Sequence, residues 1–320
     1  LTDFTHRSVL PYRSPWWLPG GHAQTISATL RPPPRPAYRR NRWETPDGDF
    51  IDVDFAGSRD APLLVLFHGL EGSSDSHYAR AMTIAALVSG RQIAIPHFRG
   101  CSGEANRLPR AYHSGDTEEI DWILHRLAEE HGIMEAMGVS LGANALLKWM
   151  GERESEAERI VRAAAAVSTP FDLAAAGAAL DRGLNRMIYV RHFLSSMKRK
   201  AAAKLDQFPD LYDRGSLNAV RTLREFDNLV TAPLHGFRDV DDYWKRASSA
   251  PWLTGIRVPT LALNALNDPF LPASALRCVI NSSEHLLLEF PADGGHVGFP
   301  GSASAGGPAW LPARILEFFG

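Results

Sequence analysis

Two cysteines in 320 residues, Cys101 and Cys278, are too few for a disulfide framework and form no metal-ligand pairing. Their scarcity makes reducing cytoplasm the expected setting. The 12 histidines are scattered, without an HExxH motif or a close Cys/His cluster, so no metal and no cofactor are expected. No run of about 18 apolar residues occurs, so no transmembrane helix and no stable membrane insertion are expected. The first residues, LTDFTHRSVL, show neither an initiator Met nor an unbroken apolar core of signal-peptide type, and the sequence leaves open a segment ahead of residue 1. Excess positive charge is also missing. With a formal net charge of −2 and pI near 6.7, nothing draws in a nucleic acid by bulk charge.

What is present is ordinary globular material, 45% hydrophobic and 22% charged, enough for a large core. Alternating strand-like and helix-like segments run through it. Tyr38 to Thr45 and Asp49 to Phe55 flank Pro46-Asp47-Gly48 and read as an opening hairpin. Buried parallel strands are expected at Leu63 to Phe67, Gln92 to Pro96, Met134 to Gly138, Ile160 to Val167, Val258 to Asn264 and His285 to Phe290. Helical stretches between them predict an α/β fold, a mostly parallel sheet with helices on both faces. A single domain is expected over 1–320. Residues 1–36 form an N-terminal arm ending in the rigid RPPPRP connector, and residues 169–251 are too long for a simple connection, which predicts a helical lid insertion.

Within that lid, RMIYVRHFLSSMKRKAAAKL mixes apolar and basic residues at helical spacing. One reading is a membrane-surface or lipid-facing helix; we favour a lid helix packed by its apolar face with its cations in water. Asp116-Thr117-Glu118-Glu119 reads as a capping box, with Asp116 as the helix cap.

The chemistry centres on Gly138-Val139-Ser140-Leu141-Gly142, a strand running through a G-x-S-x-G turn into a helix. A serine on so tight a turn needs small neighbours two residues either side, and the turn lifts its hydroxyl clear of the sheet. Unpaired N–H groups at the start of the following helix can receive a developing oxyanion, which makes Leu141 N–H one candidate donor. The glycine-rich loop His68-Gly69-Leu70-Glu71-Gly72 follows the first buried strand and offers Leu70 N–H as the second. His68 is read as a structural prop of that loop, and Cys101 as a small structural residue. Asp268 follows the strand that begins at Val258, and His296 sits in a glycine-rich loop after the last strand. The order Ser140, Asp268, His296 is that of nucleophile, acid and base in this kind of fold. The expected reaction is hydrolysis of a small-molecule ester or lipid-like substrate. A thioesterase, an amidase or peptidase, an acyltransferase, and a non-catalytic binding protein are the alternatives.

Four stretches carry a resemblance: WWLPGGHAQTI, HGLEGSSDSHYARAM, HFRGCSGEANRLPRAYHSGDTEEI, and the run from Asp227 through DDYWKRASSAPWLTGIRVPTLALNALNDP. In these the chain resembles the YheT-like branch of α/β-hydrolase esterases, related to the eukaryotic abhydrolase-domain lipid hydrolases. The resemblance implies the α/β-hydrolase fold and a serine hydrolase whose triad falls on Ser140, Asp268 and His296. Two positions depart from its pattern: His97 stands where asparagine is expected and Trp244 where tyrosine is expected.

Overall fold

A computed structural model describes residues 11–279, 282–301 and 309–320; the side chains of Arg277 and Cys278 are outside that description. Eight strands form one sheet: β1 Arg39–Glu44, β2 Phe50–Ala56, β3 Leu63–Phe67, β4 Gln92–Pro96, β5 Met134–Val139, β6 Val161–Val167, β7 Thr260–Leu263 and β8 Leu286–Glu289. Their spatial order is β1-β2-β4-β3-β5-β6-β7-β8. Among the described strands β2 alone runs against the direction of the others, and every pairing from β4 to β8 is parallel. Every strand expected from sequence is present, with ends shifted by no more than two residues.

The two faces of the sheet are separated by the two-residue period of the strands. Leu63, Val65 and Phe67 point one way and pack beneath α3 (Thr117–His131) and α4 (Leu141–Arg153). Leu64 and Leu66 point the other way, under α2 (His77–Val88) and the C-terminal helix Trp310–Phe319. Both faces of β3 are therefore buried, which is why its sequence is continuously apolar.

Before β1, α1 (Gly21–Leu30) precedes an extended stretch that includes RPPPRP. Between β6 and β7 the chain builds a helical layer. It includes α5 (Leu173–Leu180), α6 (Arg191–Gln207) and α7 (Val240–Ala247), with π-helical turns at Arg186–Val190 and Asp227–Thr231. Leu180, Tyr189, Val190, Leu194, Leu205 and Phe226 give this layer an apolar cluster of its own, which reaches Phe270 beyond β7.

One local expectation is corrected. Asp116 occupies the N-cap position of α3, yet its carboxylate makes no capping bond. Both oxygens accept from Arg110 Nη2, at 2.6 and 2.8 Å, while Glu119 accepts from Arg99 Nε at 2.5 Å. Two arginines brought in by the preceding loops outbid the backbone for these carboxylates, because charge-assisted bonds are the stronger ones.

Candidate active site

Ser140 joins β5 to α4 at φ 53° and ψ −117°, a conformation costing a non-glycine residue on the order of 1–3 kcal/mol. The surrounding backbone holds it there: Ser140 N–H donates to Val167 O at 2.8 Å, and Ser140 O accepts from Asn144 N–H at 3.1 Å. The flanking glycines are a packing requirement. A Cβ on Gly138 would lie 2.5 Å from Ala143 Cα, and one on Gly142 would lie 2.4 Å from Phe67 O.

His296 Nε2 lies 3.0 Å from Ser140 Oγ, and His296 Nδ1 lies 2.8 Å from Asp268 Oδ2. The second carboxylate oxygen of Asp268 accepts Phe270 N–H at 2.8 Å. All three side chains named from the sequence thus meet in one hydrogen-bonded chain. The Asp268 side chain is fully enclosed, and the Phe270 ring stacks on the imidazole at a centroid separation of 4.0 Å.

Four successive backbone N–H groups fix the loop that carries the histidine. Gly294 donates to Gln24 Oε1 (2.8 Å), Gly295 to Asn267 Oδ1 (2.9 Å), His296 to Thr25 Oγ1 (2.8 Å) and Val297 to Ser168 Oγ (3.0 Å). Gln24 and Thr25 belong to α1, so the N-terminal arm is a structural part of the site. Sequence reasoning missed this. The only signal was the stretch GGHAQTI, to which no role was given.

The loop after β3 approaches the serine from the other side. His68 Nδ1 lies 2.8 Å from Gly69 O, and its Nε2 lies 3.1 Å from Phe98 N. A ring that donates at one nitrogen and accepts at the other is neutral. Burial also pushes its pKa down, to about 3. His68 is thus the structural prop that the sequence suggested. Gly69 N–H donates to Tyr78 Oη and Glu71 N–H to Tyr112 Oη, both at 2.8 Å. Between them, Leu70 N–H has no acceptor among the described residues. Leu141 N–H is at the first position of α4, where a helix has no internal acceptor to offer. Leu70 and Leu141 border the same cavity as Ser140 and His296.

That cavity measures about 110 Å³ and is walled largely by apolar side chains, including Leu173, Leu180, Leu223, Trp244 and Leu271. The indole of Trp244 lies against Gly177, where a Cβ would come within 2.5 Å of it, and its N–H donates to Asp227 Oδ2 at 2.9 Å. Burial pushes the Asp227 carboxyl up to about 6. A second cavity of about 630 Å³ adjoins, sharing Leu70, Leu141, Met197, Asp227 and Tyr243 with the first. In its wall Lys200 Nζ of α6 lies 2.9 Å from Glu71 Oε1 and 3.5 Å from Cys101 Sγ. Burial raises the Cys101 thiol to about 11, which keeps it protonated and unsuited to nucleophilic attack. The other departure, His97, places Nε2 3.0 Å from Asp54 Oδ2, away from the serine.

Comparison with known proteins agrees with the fold. Residues 62–302 match the family model described as alpha/beta hydrolase fold. YheT of Escherichia coli strain K12, provisionally named an esterase, is 39% identical over 87% of this chain and 83% of its own. A monoacylglycerol lipase of Saccharomyces cerevisiae is 32% identical over 88% of this chain and 63% of its own. Mouse phospholipase ABHD3 is 28% identical over 85% of this chain and 68% of its own. Among solved structures, a hydrolase from Pseudomonas aeruginosa superposes with a TM-score of 0.56 at 17% identity, covering 88% of this chain and 98% of its own. An esterase from Pyrococcus furiosus gives 0.55 at 14% identity, covering 90% and 96%.

Proposed function

The chain belongs to the α/β-hydrolase family, in its esterase and lipase branch, and from that premise we propose that it cleaves carboxylic esters through an acyl-enzyme on Ser140. The observation that carries this reading is the continuous hydrogen-bonded chain from Asp268 through His296 to Ser140 Oγ. His296 Nε2 takes the serine proton as Oγ attacks the ester carbonyl, and Asp268 fixes the tautomer and stabilises the imidazolium. Charge developing on the carbonyl oxygen is received by the N–H groups of Leu70 and Leu141. The imidazolium then protonates the departing alcohol, and water, activated by the same histidine, releases the acid. The helical segment between β6 and β7 acts as a lid, covering the serine with Met197, Leu180 and Trp244.

Of the two cavities the one at Ser140 is the smaller, about 110 against about 630 Å³, so we assign a short, apolar acyl portion to it and the alcohol to the larger adjoining cavity. A p-nitrophenyl ester series tests this, with highest kcat/KM expected for short chains such as butyrate. In Trp244→Tyr the wall recedes, and the kcat/KM ratio of pentanoate to butyrate should rise about tenfold, the value of one added methylene in an apolar pocket. An unchanged chain-length profile would remove Trp244 from the acyl site.

A further inference from the structure

The basic helix of the helical segment divides into two parts. Toward its C-terminal end the apolar face packs as expected, with Leu194, Ala201 and Leu205 buried, but two cations expected in water turn inward: Lys200 pairs with Glu71, and the buried Lys204 donates its Nζ–H to Asn106 O. At the N-terminal end the apolar residues face outward instead. Leu184 is 58% exposed, Met187 69% and Ile188 41%. Leu184 lies in the short helical turn Gly183–Asn185 and Met187 and Ile188 in the π-helical turn that runs into α6 at Arg191, so the three exposed side chains cluster just ahead of that helix. From Arg182 to Leu205 the chain contains no Asp or Glu. Beside the cluster lies a groove of about 780 Å³ whose charged wall is entirely cationic: Arg186, Arg191, Lys198 and Arg221.

Exposed apolar side chains beside a groove whose charged lining is cationic match the interface of a bilayer bearing anionic headgroups, although Asp181 near Arg186 and Glu225 near Lys198 offset part of the charge. A chain of net charge −2 has no general affinity for anions, so this concentration of positive charge is local. The patch also touches the site. Tyr189, on the opposite face of the same π-helical turn, packs on Phe270 at 4.6 Å between ring centroids, and Phe270 stacks on His296. We propose that the face formed by Leu184, Met187, Ile188, Arg186 and Arg191 is a docking surface for the anionic surface of a phospholipid bilayer. The apolar cluster enters the headgroup region, and the arginine-lined groove receives lipid phosphates. Docking sets the helical segment that covers Ser140 directly on the lipid.

Vesicle co-sedimentation tests the proposal, using phosphatidylcholine alone and phosphatidylcholine mixed with phosphatidylglycerol. The intact chain should partition onto the mixed vesicles and not the neutral ones, and added salt should weaken the binding. Arg186→Gln with Arg191→Gln should reduce partitioning about 30-fold, from roughly 1 kcal/mol per cation near the surface. Met187→Ser with Ile188→Ser should also release the chain. Both double variants should hydrolyse soluble p-nitrophenyl butyrate at the wild-type rate, which separates failure of docking from failure of the esterase reading. Equal binding to neutral and anionic vesicles overturns the proposal. So does binding that survives the serine pair, the result expected of a purely electrostatic patch made for a polyanion such as a nucleic acid or an acidic protein.

Discussion

Ser140→Ala is expected to fold as the wild type does and to lose about a millionfold in kcat for p-nitrophenyl butyrate, the scale of loss when a serine hydrolase loses its nucleophile. Among the described residues the hydroxyl removed makes one hydrogen bond, the 3.0 Å approach to His296 Nε2. The turn itself is maintained by backbone bonds to Val167 and from Asn144, which the substitution leaves in place. The variant should therefore unfold at a midpoint close to that of the wild type. Turnover within tenfold of wild type would mean that another group attacks the ester.

The second large effect is expected at Asp268, and the geometry says why a nearly isosteric amide fails. One carboxylate oxygen accepts Phe270 N–H and the other accepts His296 Nδ1–H. Asparagine has only one acceptor oxygen. If that oxygen keeps Phe270, the amide NH2 faces Nδ1 and forces the ring proton onto Nε2, where it blocks acceptance of the Ser140 proton. Asp268→Asn should then lower kcat by about 10⁴ with the fold retained. Asp116→Asn makes the informative control. It loses the ion pair with Arg110 and should lower thermal stability, while kcat stays near wild type. Inactivation by Asp116→Asn with activity retained in Asp268→Asn would reverse the assignment of the acid.

The parts of this account that were legible in the sequence share a physical trait: each is decided by neighbours along the chain. Buried strands such as Leu63–Phe67 announce themselves by apolar runs that end at a glycine loop. The serine turn is marked by glycines because Gly142 lies against the Phe67 carbonyl. Ser140, Asp268 and His296 were separable from rival candidates because each follows a strand end, in a fixed order. What was not legible depends on partners remote in sequence. Gln24 is bonded to a loop 270 positions away, and nothing in its surroundings foretells this. Asp116 has the local pattern of a helix cap, and it was misread because Arg110 returns from a loop to claim the carboxylate. For Met187 and Ile188 the sequence left an outward, lipid-facing side beside the favoured packed one, because helical spacing gives the same pattern whether the apolar face is turned in or out.

The central claim is that Ser140 becomes acylated, and a fluorophosphonate probe reads it directly because it is captured by an activated serine oxygen. Ser140 Oγ displaces fluoride from the probe phosphorus, so wild-type protein should gain the mass of one probe less HF, and peptide mapping should place it on Ser140, with ester hydrolysis disappearing in proportion to labelling. An adduct on a different residue, or full hydrolytic activity in protein that stays unlabelled, would contradict the account.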